Sequence, residues 1–257
     1  PDVVLDTDSF ATAYTALNGW EFGGLITDPG DAMAFLYRMA YQCKSLLNFA
    51  PDGTVRMQVL DGSRVSAATY TQKNVVRDGR GGSGFVRESA SLDALYSSVY
   101  VHFGTKAGGG TGPSAFSGII SVTPTTSSEG VPTTLQIYCD GALDRLGRDH
   151  RLDVYADFIQ DYGTANLFLQ WLVPRVTQRY DTLVFSSWLD SLARRLGDLV
   201  TITHPRLPQA KKSWNGEIIG QTFDPLAMTV QLSVRLLEVV PTGSLIWASS
   251  DLLAPAV

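Results

Sequence analysis

The chain has 257 residues, 44% of them apolar and 18% charged, with a formal net charge of −5. This is enough for one or two globular domains with a sizeable core, and it excludes a disordered chain. An acidic balance also excludes a dedicated nucleic-acid binder, which needs clustered Lys and Arg against phosphate; it leaves room for a channel through which nucleic acid slides without sticking.

The chain opens on Asp2-Val3-Val4-Leu5-Asp6, which reads as the end of a strand already under way, and it starts at Pro1 without a Met. A processed chain or a piece of a longer one is the expectation. Asp8 is placed to cap a helix from Ser9 to Leu17, with Asn18-Gly19 as its stop. Asp28 is placed to cap a second helix with Pro29 at its first position, and Ala32, Phe35, Leu36, Met39, Ala40 and Cys43 share one helical face. Leu46 to Phe49 and Val55 to Leu60 flank Pro51-Asp52-Gly53, which predicts a β-hairpin: Pro presets φ and Gly supplies φ > 0.

Thr71 to Gly84 and Gly104 to Ser114 read as Gly-rich loops, and Thr123 to Pro132 as a Pro/Thr/Ser-rich one. Between them, strands are predicted to end at Val99 to Phe103 and to span Ser117 to Val122 and Thr134 to Cys139. Tyr155 to Tyr162 is either helical or the approach to the next helix. That helix follows Gly163-Thr164 and runs to about Thr177, with Pro174 expected to kink it. Asp181 to Ser187, Leu199 to Thr203, Glu217 to Thr222 and Met228 to Val234 are strands, and Thr229 to Leu236 alternates cleanly with period two. Trp247 to Val257 reads as a tail or as a strand leaving for another domain.

No βαβ rhythm appears, so the fold class is α+β, mostly antiparallel β, with two or three inserted helices. Residues 1–140 are expected to form a helix-hairpin plus β domain, and residues 141–257 a helix followed by a small β-barrel-like domain. No apolar run approaches the ~20 residues of a membrane span, and no signal peptide opens the chain. Cys43 and Cys139 lack CxxC spacing and read as small core hydrophobes in a reducing compartment.

Candidate chemistry is sparse. Asp6-Thr7-Asp8, with Asp28 twenty residues on, superficially echoes the acidic metal-binding strand ends of nucleoside hydrolases, but helix capping explains Asp8 and Asp28 more simply. Gly79 to Gly84 matches G-x-G-x-x-G by letter without the strand before it or the helix after it. His102, His150 and His204 have no metal-ligand spacing, and no Gly-x-Ser-x-Gly elbow is present. No catalytic residue, metal or cofactor is therefore expected. Arg175, Arg179, Arg194, Arg195, Arg206, Lys211 and Lys212 make the second half locally basic, either as a solvated face or as a patch for an acidic partner.

Three segments together resemble the baseplate or tail-tip hub proteins of tailed bacteriophages and gene-transfer-agent-like particles. They are Gly19-Trp20 with Asp28 to Asn48 and Asp52 to Met57; Asn74-Val75-Val76 through Val99 to Phe103; and Asp181 to Phe185 with Leu196 to Pro205 and Asp224 to Leu236. The resemblance implies hub-like β-domains, a homotrimeric ring at the distal end of the tail, and a lumen that passes DNA. It implies a distal tail protein or tail tube above, a tape-measure protein ending there, and fibre or spike proteins below. It also implies a structural protein of the virion, assembled in the host cytoplasm, and not an enzyme. Trp20, Trp188, Trp214, Trp247 and Arg206 are the expected interface anchors. Two alternatives stay open: a tail-associated hydrolase using Asp6, Asp8 and Asp28, and a carbohydrate- or receptor-binding β-module whose Trp side chains stack on sugars.

Overall fold

The computed structural model describes residues 4–23, 31–49, 53–61, 64–76, 84–106, 112–203 and 213–237. The chain divides into two compact units: Pro1–Arg64 with Ser91–Arg179, and Val65–Ala90 with Tyr180–Val257. The expected boundary near residue 140 falls instead inside a helix, Thr134–Leu146.

The first unit begins with strand β1 (Val4–Leu5) and helix α1 (Thr7–Ala16). Asp6, not Asp8, caps α1, accepting a hydrogen bond from Ser9 N at 3.3 Å; Asp8 lies in the first turn, where its charge complements the helix dipole. Helix α2 (Ala32–Gln42) is likewise capped by Asp31, which accepts from Met33 N at 2.9 Å and Ala34 N at 3.3 Å. Asp28 and Pro29, expected in that role, lie outside the described residues. Strands β2 (Ser45–Phe49) and β3 (Thr54–Val59) form the expected hairpin, with Gly53 at φ 82°, and β1 pairs parallel to β3.

In the second unit, β4 (Ala68–Tyr70) and β5 (Phe85–Ser89) are short strands that local sequence did not disclose. The chain then returns to the first unit with β6 (Ser98–Thr105) and β7 (Phe116–Val122). The segment from Thr134, expected to be a strand, is helix α3 (Thr134–Leu146). Its Leu135, Cys139 and Ala142 are buried at positions i, i+4 and i+7, a helical face that the β-prone Thr and Ile around it disguise. Gly147 at φ 65° ends the helix in the left-handed conformation, and its N–H bonds Leu143 O at 2.8 Å.

Strand β8 (Arg151–Tyr155) pairs parallel to β6, giving the sheet order β7-β6-β8. Helix α4 (Tyr162–Thr177) is capped by Asp161 and contains Pro174. The core of this unit gathers Val99, Val101, Ile120 and Val122 from the sheet with Phe168, Leu169 and Leu172 from α4. Cys139 and Cys43 are buried thiols, and burial pushes each up to about 12.

The second unit continues with β9 (Asp181–Ser187), β10 (Leu199–Ile202), β11 (Trp214–Asp224) and β12 (Thr229–Leu236). Its six-stranded sheet has the order β4-β10-β11-β12-β9-β5, with antiparallel pairs throughout except β4 with β10. The sheet curls on itself: Tyr70 on edge strand β4 meets Phe185 on β9, ring centroids 5.1 Å apart, and Phe85 on the opposite edge meets Phe185 at 4.8 Å. Leu183, Val200, Ile218, Leu232 and Val234 fill the interior. The fold class is α+β, as the sequence led us to expect.

Candidate functional site

The Asp6 and Asp8 region forms an open cleft of about 500 Å³ between α1 and β3, lined in part by Ser9, Met57, Val59, Asp61 and Arg64. The Asp6 carboxylate is already committed. It caps α1, and its Oδ2 lies 2.7 Å from Arg56 Nε in an ion pair whose N–H is not aligned as a hydrogen bond. Ser9 Oγ donates to Asp6 O at 2.8 Å and accepts from Met57 N at 3.3 Å. Among the described residues no three His, Cys, Asp or Glu side chains are grouped to hold a metal. The Asp6/Asp8/Asp28 constellation is thus seen only in part, and the seen part is structural.

His102 serves the first unit's sheet. His102 Nε2 lies 2.8 Å from Asp153 Oδ1, and its ring stacks on Tyr155 at 4.9 Å. Arg151 holds the same carboxylate through two N–H donors, at 2.7 and 2.6 Å, and its guanidinium lies 3.8 Å from the Tyr100 ring centre. These bonds, Arg151's first and His102's after it, hold the Asp153 carboxyl below the usual carboxylate range. Asp149 is lowered too, chiefly because Ser97 Oγ and then Ser98 Oγ donate to it, each at 2.6 Å.

Both folded-state values lie below the unfolded Asp value of about 3.9. Their stabilisation is therefore fully present above about pH 4 and is lost as pH falls through the folded values. In urea titrations between pH 2 and pH 6, Asp149→Asn is expected to flatten the acid-side loss of stability relative to wild type. An unchanged slope would remove Asp149 from that role.

The five expected anchors separate. Trp20 is half-buried, stacked on Phe22 at 5.9 Å, with Lys44 Nζ 5.1 Å from its ring centre. Trp188 is 52% exposed where β9 ends. Trp214, in contrast, is 2% exposed and belongs to the second unit's core. It faces inward opposite Ile202, on the same side of β11 as buried Ile218, so it is packing and not a free anchor. Trp247 and Arg206 lie outside the described residues. Trp171, read from the sequence as part of the apolar face of α4 and not as an anchor, donates from Nε1 to Leu60 O at 2.9 Å, and its ring meets Tyr41.

Sequence reasoning passed over the β11–β12 turn, where Phe223, Leu226 and Met228 are exposed. Among the described residues, exposed apolar side chains on ordered elements, Trp188 and Leu226 among them, are suited to contact with other protein surfaces.

No protein-family model matches the chain, and neither does any curated protein. Among solved structures, it is similar to a chain from the virion of a native gene transfer agent particle, with TM-score 0.54 and 13% identity over 91% of this chain. It is also similar to a tail protein from Neisseria meningitidis MC58, with TM-score 0.49 and 13% identity over 83% of the chain. A third is the tail protein of prophage MuSo2 from Shewanella oneidensis, with TM-score 0.45 and 15% identity over 81%. The chain spans about half of each, covering 47%, 57% and 56% of their lengths. The fold is similar to that of about half of the gene-transfer-agent virion chain.

Proposed function

We propose that this chain is a structural subunit of a phage-type tail, placed at the tail tip or baseplate hub, where three copies close a ring around an open axis. The observation that carries this reading is the fold shared with a virion chain over 91% of the residues. A distal tail protein or tail tube on one side, a tape-measure protein in the lumen and fibre or spike proteins on the other side are the partners that this placement requires. A net charge of −5 suits a lumen that DNA traverses without being held. The work of such a subunit lies in sheet faces and apolar side chains presented to neighbours, and it needs no catalytic group.

The test is the mass and symmetry of the purified chain and of particles that contain it. A threefold ring with an open axis, in native mass spectrometry and in averaged electron micrographs, is the expected result. A monomer at every concentration, together with no copies in the particle, sinks the reading.

A further inference from the structure

Strand β3 has one edge that its own sheet covers only in part. β2 covers the other edge: Leu60 N donates to Lys44 O at 2.7 Å, and the register sets Gln58 against Leu46 and Arg56 against Asn48. Backbone groups alternate sides along an antiparallel strand, so Arg56, Gln58 and Leu60 face β2, while Val55, Met57 and Val59 face away from it. β1 meets that far side only at its start, opposite Thr54 and Val55, and Asp6 N donates to Val55 O at 3.0 Å. The chain then turns into α1, where Ser9 Oγ accepts from Met57 N at 3.3 Å. Met57 O and both the N–H and C=O of Val59 lie past the end of β1, and among the described residues no backbone or side-chain group bonds them.

The open cleft between α1 and β3 runs along this stretch, with Met57 and Val59 on one side and the small side chains of Thr12, Ala13 and Ala16 on the other. Val59 is 8% exposed, so little water reaches its backbone, and an unmet N–H or C=O there is costly. The charged side chains of the lining nearly balance. Asp6 pairs with Arg56, and Arg64, whose Nε donates to Asp61 O at 3.0 Å, sits beside Asp61; Asp8 is the excess. Every group named lies in the first unit.

We propose that this cleft takes an extended peptide segment of a partner protein, which adds a strand to β3 where β1 stops. The unmet groups identify the guest. Met57 O, Val59 N–H and Val59 O form an acceptor, a donor and an acceptor at strand spacing, and a second extended backbone returns that set. Sugars and lipid tails do not repeat it, and an acidic excess disfavours phosphate groups. The guest presents small apolar side chains to Ala13 and Ala16, because larger ones do not fit between α1 and β3. It carries little charge, because the lining offers little to pair with. β3 is already held flat by β2, so the site needs little ordering when the guest arrives. The proposal stands on the first unit alone and does not rest on the ring reading.

The test uses the full chain and a short fluorescein-labelled peptide of alternating Val and Ser. Fluorescence anisotropy is expected to show saturable binding that added sodium chloride barely changes. Two N-methylated forms of the peptide, each blocked along one edge of its strand, separate backbone pairing from apolar contact. One should raise Kd by about tenfold or more, and the other should stay within about twofold. Thr12→Phe fills the cleft from an exposed position on α1; it should weaken binding by about tenfold or more and leave the melting temperature unchanged. Amide hydrogen exchange reads the pairing directly: Val59 N–H is expected to exchange fast in the free chain and to slow when peptide is added, while Gln58 N–H is slow in both. The peptide and exchange arms decide the matter even where Thr12→Phe fails to fold. No saturable binding, equal effects of the two N-methylated peptides, or a Val59 amide that is slow without peptide overturns the proposal. So does binding that salt abolishes, which would make charge the cause. Self-association of the wild type that Thr12→Phe removes would give the cleft to a second copy and overturn the partner segment as stated.

Discussion

Phe168→Ala is expected to destabilise the chain by about 3–5 kcal/mol, the cost of emptying a fully buried aromatic site. Phe168 is 0% exposed in the middle of α4. Its ring meets Tyr41 edge-on at 5.8 Å and lies 5.7 Å from Trp171, so one truncation undermines the contact of α4 with α2 as well as with the sheet. The neighbours are fixed by other bonds and are poorly placed to collapse into the gap: Trp171 is held by its bond to Leu60 O, and Val101 and Ile120 by strand pairing. Little relaxation means that most of the cavity term is paid in full. Leu167→Ala, on the exposed side of the same helix, serves as the control and should fall within about 0.5 kcal/mol of wild type. Urea unfolding of both variants followed by circular dichroism gives the comparison. A Phe168→Ala loss as small as that of Leu167→Ala would mean that α4 does not seal this core.

How far the sequence disclosed this architecture depended on how local each signal was. β9 and β12 were legible because one face alternates strictly, with Leu183, Phe185, Val230, Leu232 and Val234 inward. Helix starts were legible only to within two or three residues. Asp6 and Asp8, or Asp28 and Asp31, are equally good caps by type, and Asp6 is selected by its additional pairing with Arg56. α3 was misread because Thr133 to Cys139 is β-prone over a window too short to show a helical period, which appears only when Ala142 and Gly147 are included. β4 and β5 were missed because they run three and five residues and find partners far along the chain, Tyr70 with Ile202 and Phe85 with Phe185. That excursion and return also hid the division into two units. The inward position of Trp214 could have been read from its spacing to Ile218; the exposure of Leu226 could not, since a turn sequence does not say what it meets.

Asp181→Ala is the second large expected loss, again about 3–5 kcal/mol, because it strands a buried cation. Asp181 is buried at the first position of β9. Its Oδ2 pairs with Arg87 Nη2 and its Oδ1 accepts from Ser89 Oγ at 2.9 Å, so one carboxylate fastens edge strand β5 to the sheet. Arg87 is itself largely buried, and with Asp181 removed its charge has lost the carboxylate that offset its desolvation. The size of that loss measures the stranded charge more than the worth of the pair. Arg87→Met with Asp181→Leu should therefore recover most of the stability, whereas two independent contacts would give additive losses. Arg87→Met alone is expected to cost less than Asp181→Ala, since the remaining carboxylate keeps its Ser89 bond. A four-point urea cycle of wild type, Arg87→Met, Asp181→Leu and the double variant on the full chain reads the coupling. Additivity of the two single losses would show that β5 is held by its backbone pairing with β9 and by Phe85 against Phe185, with the ion pair contributing nothing to the clamp.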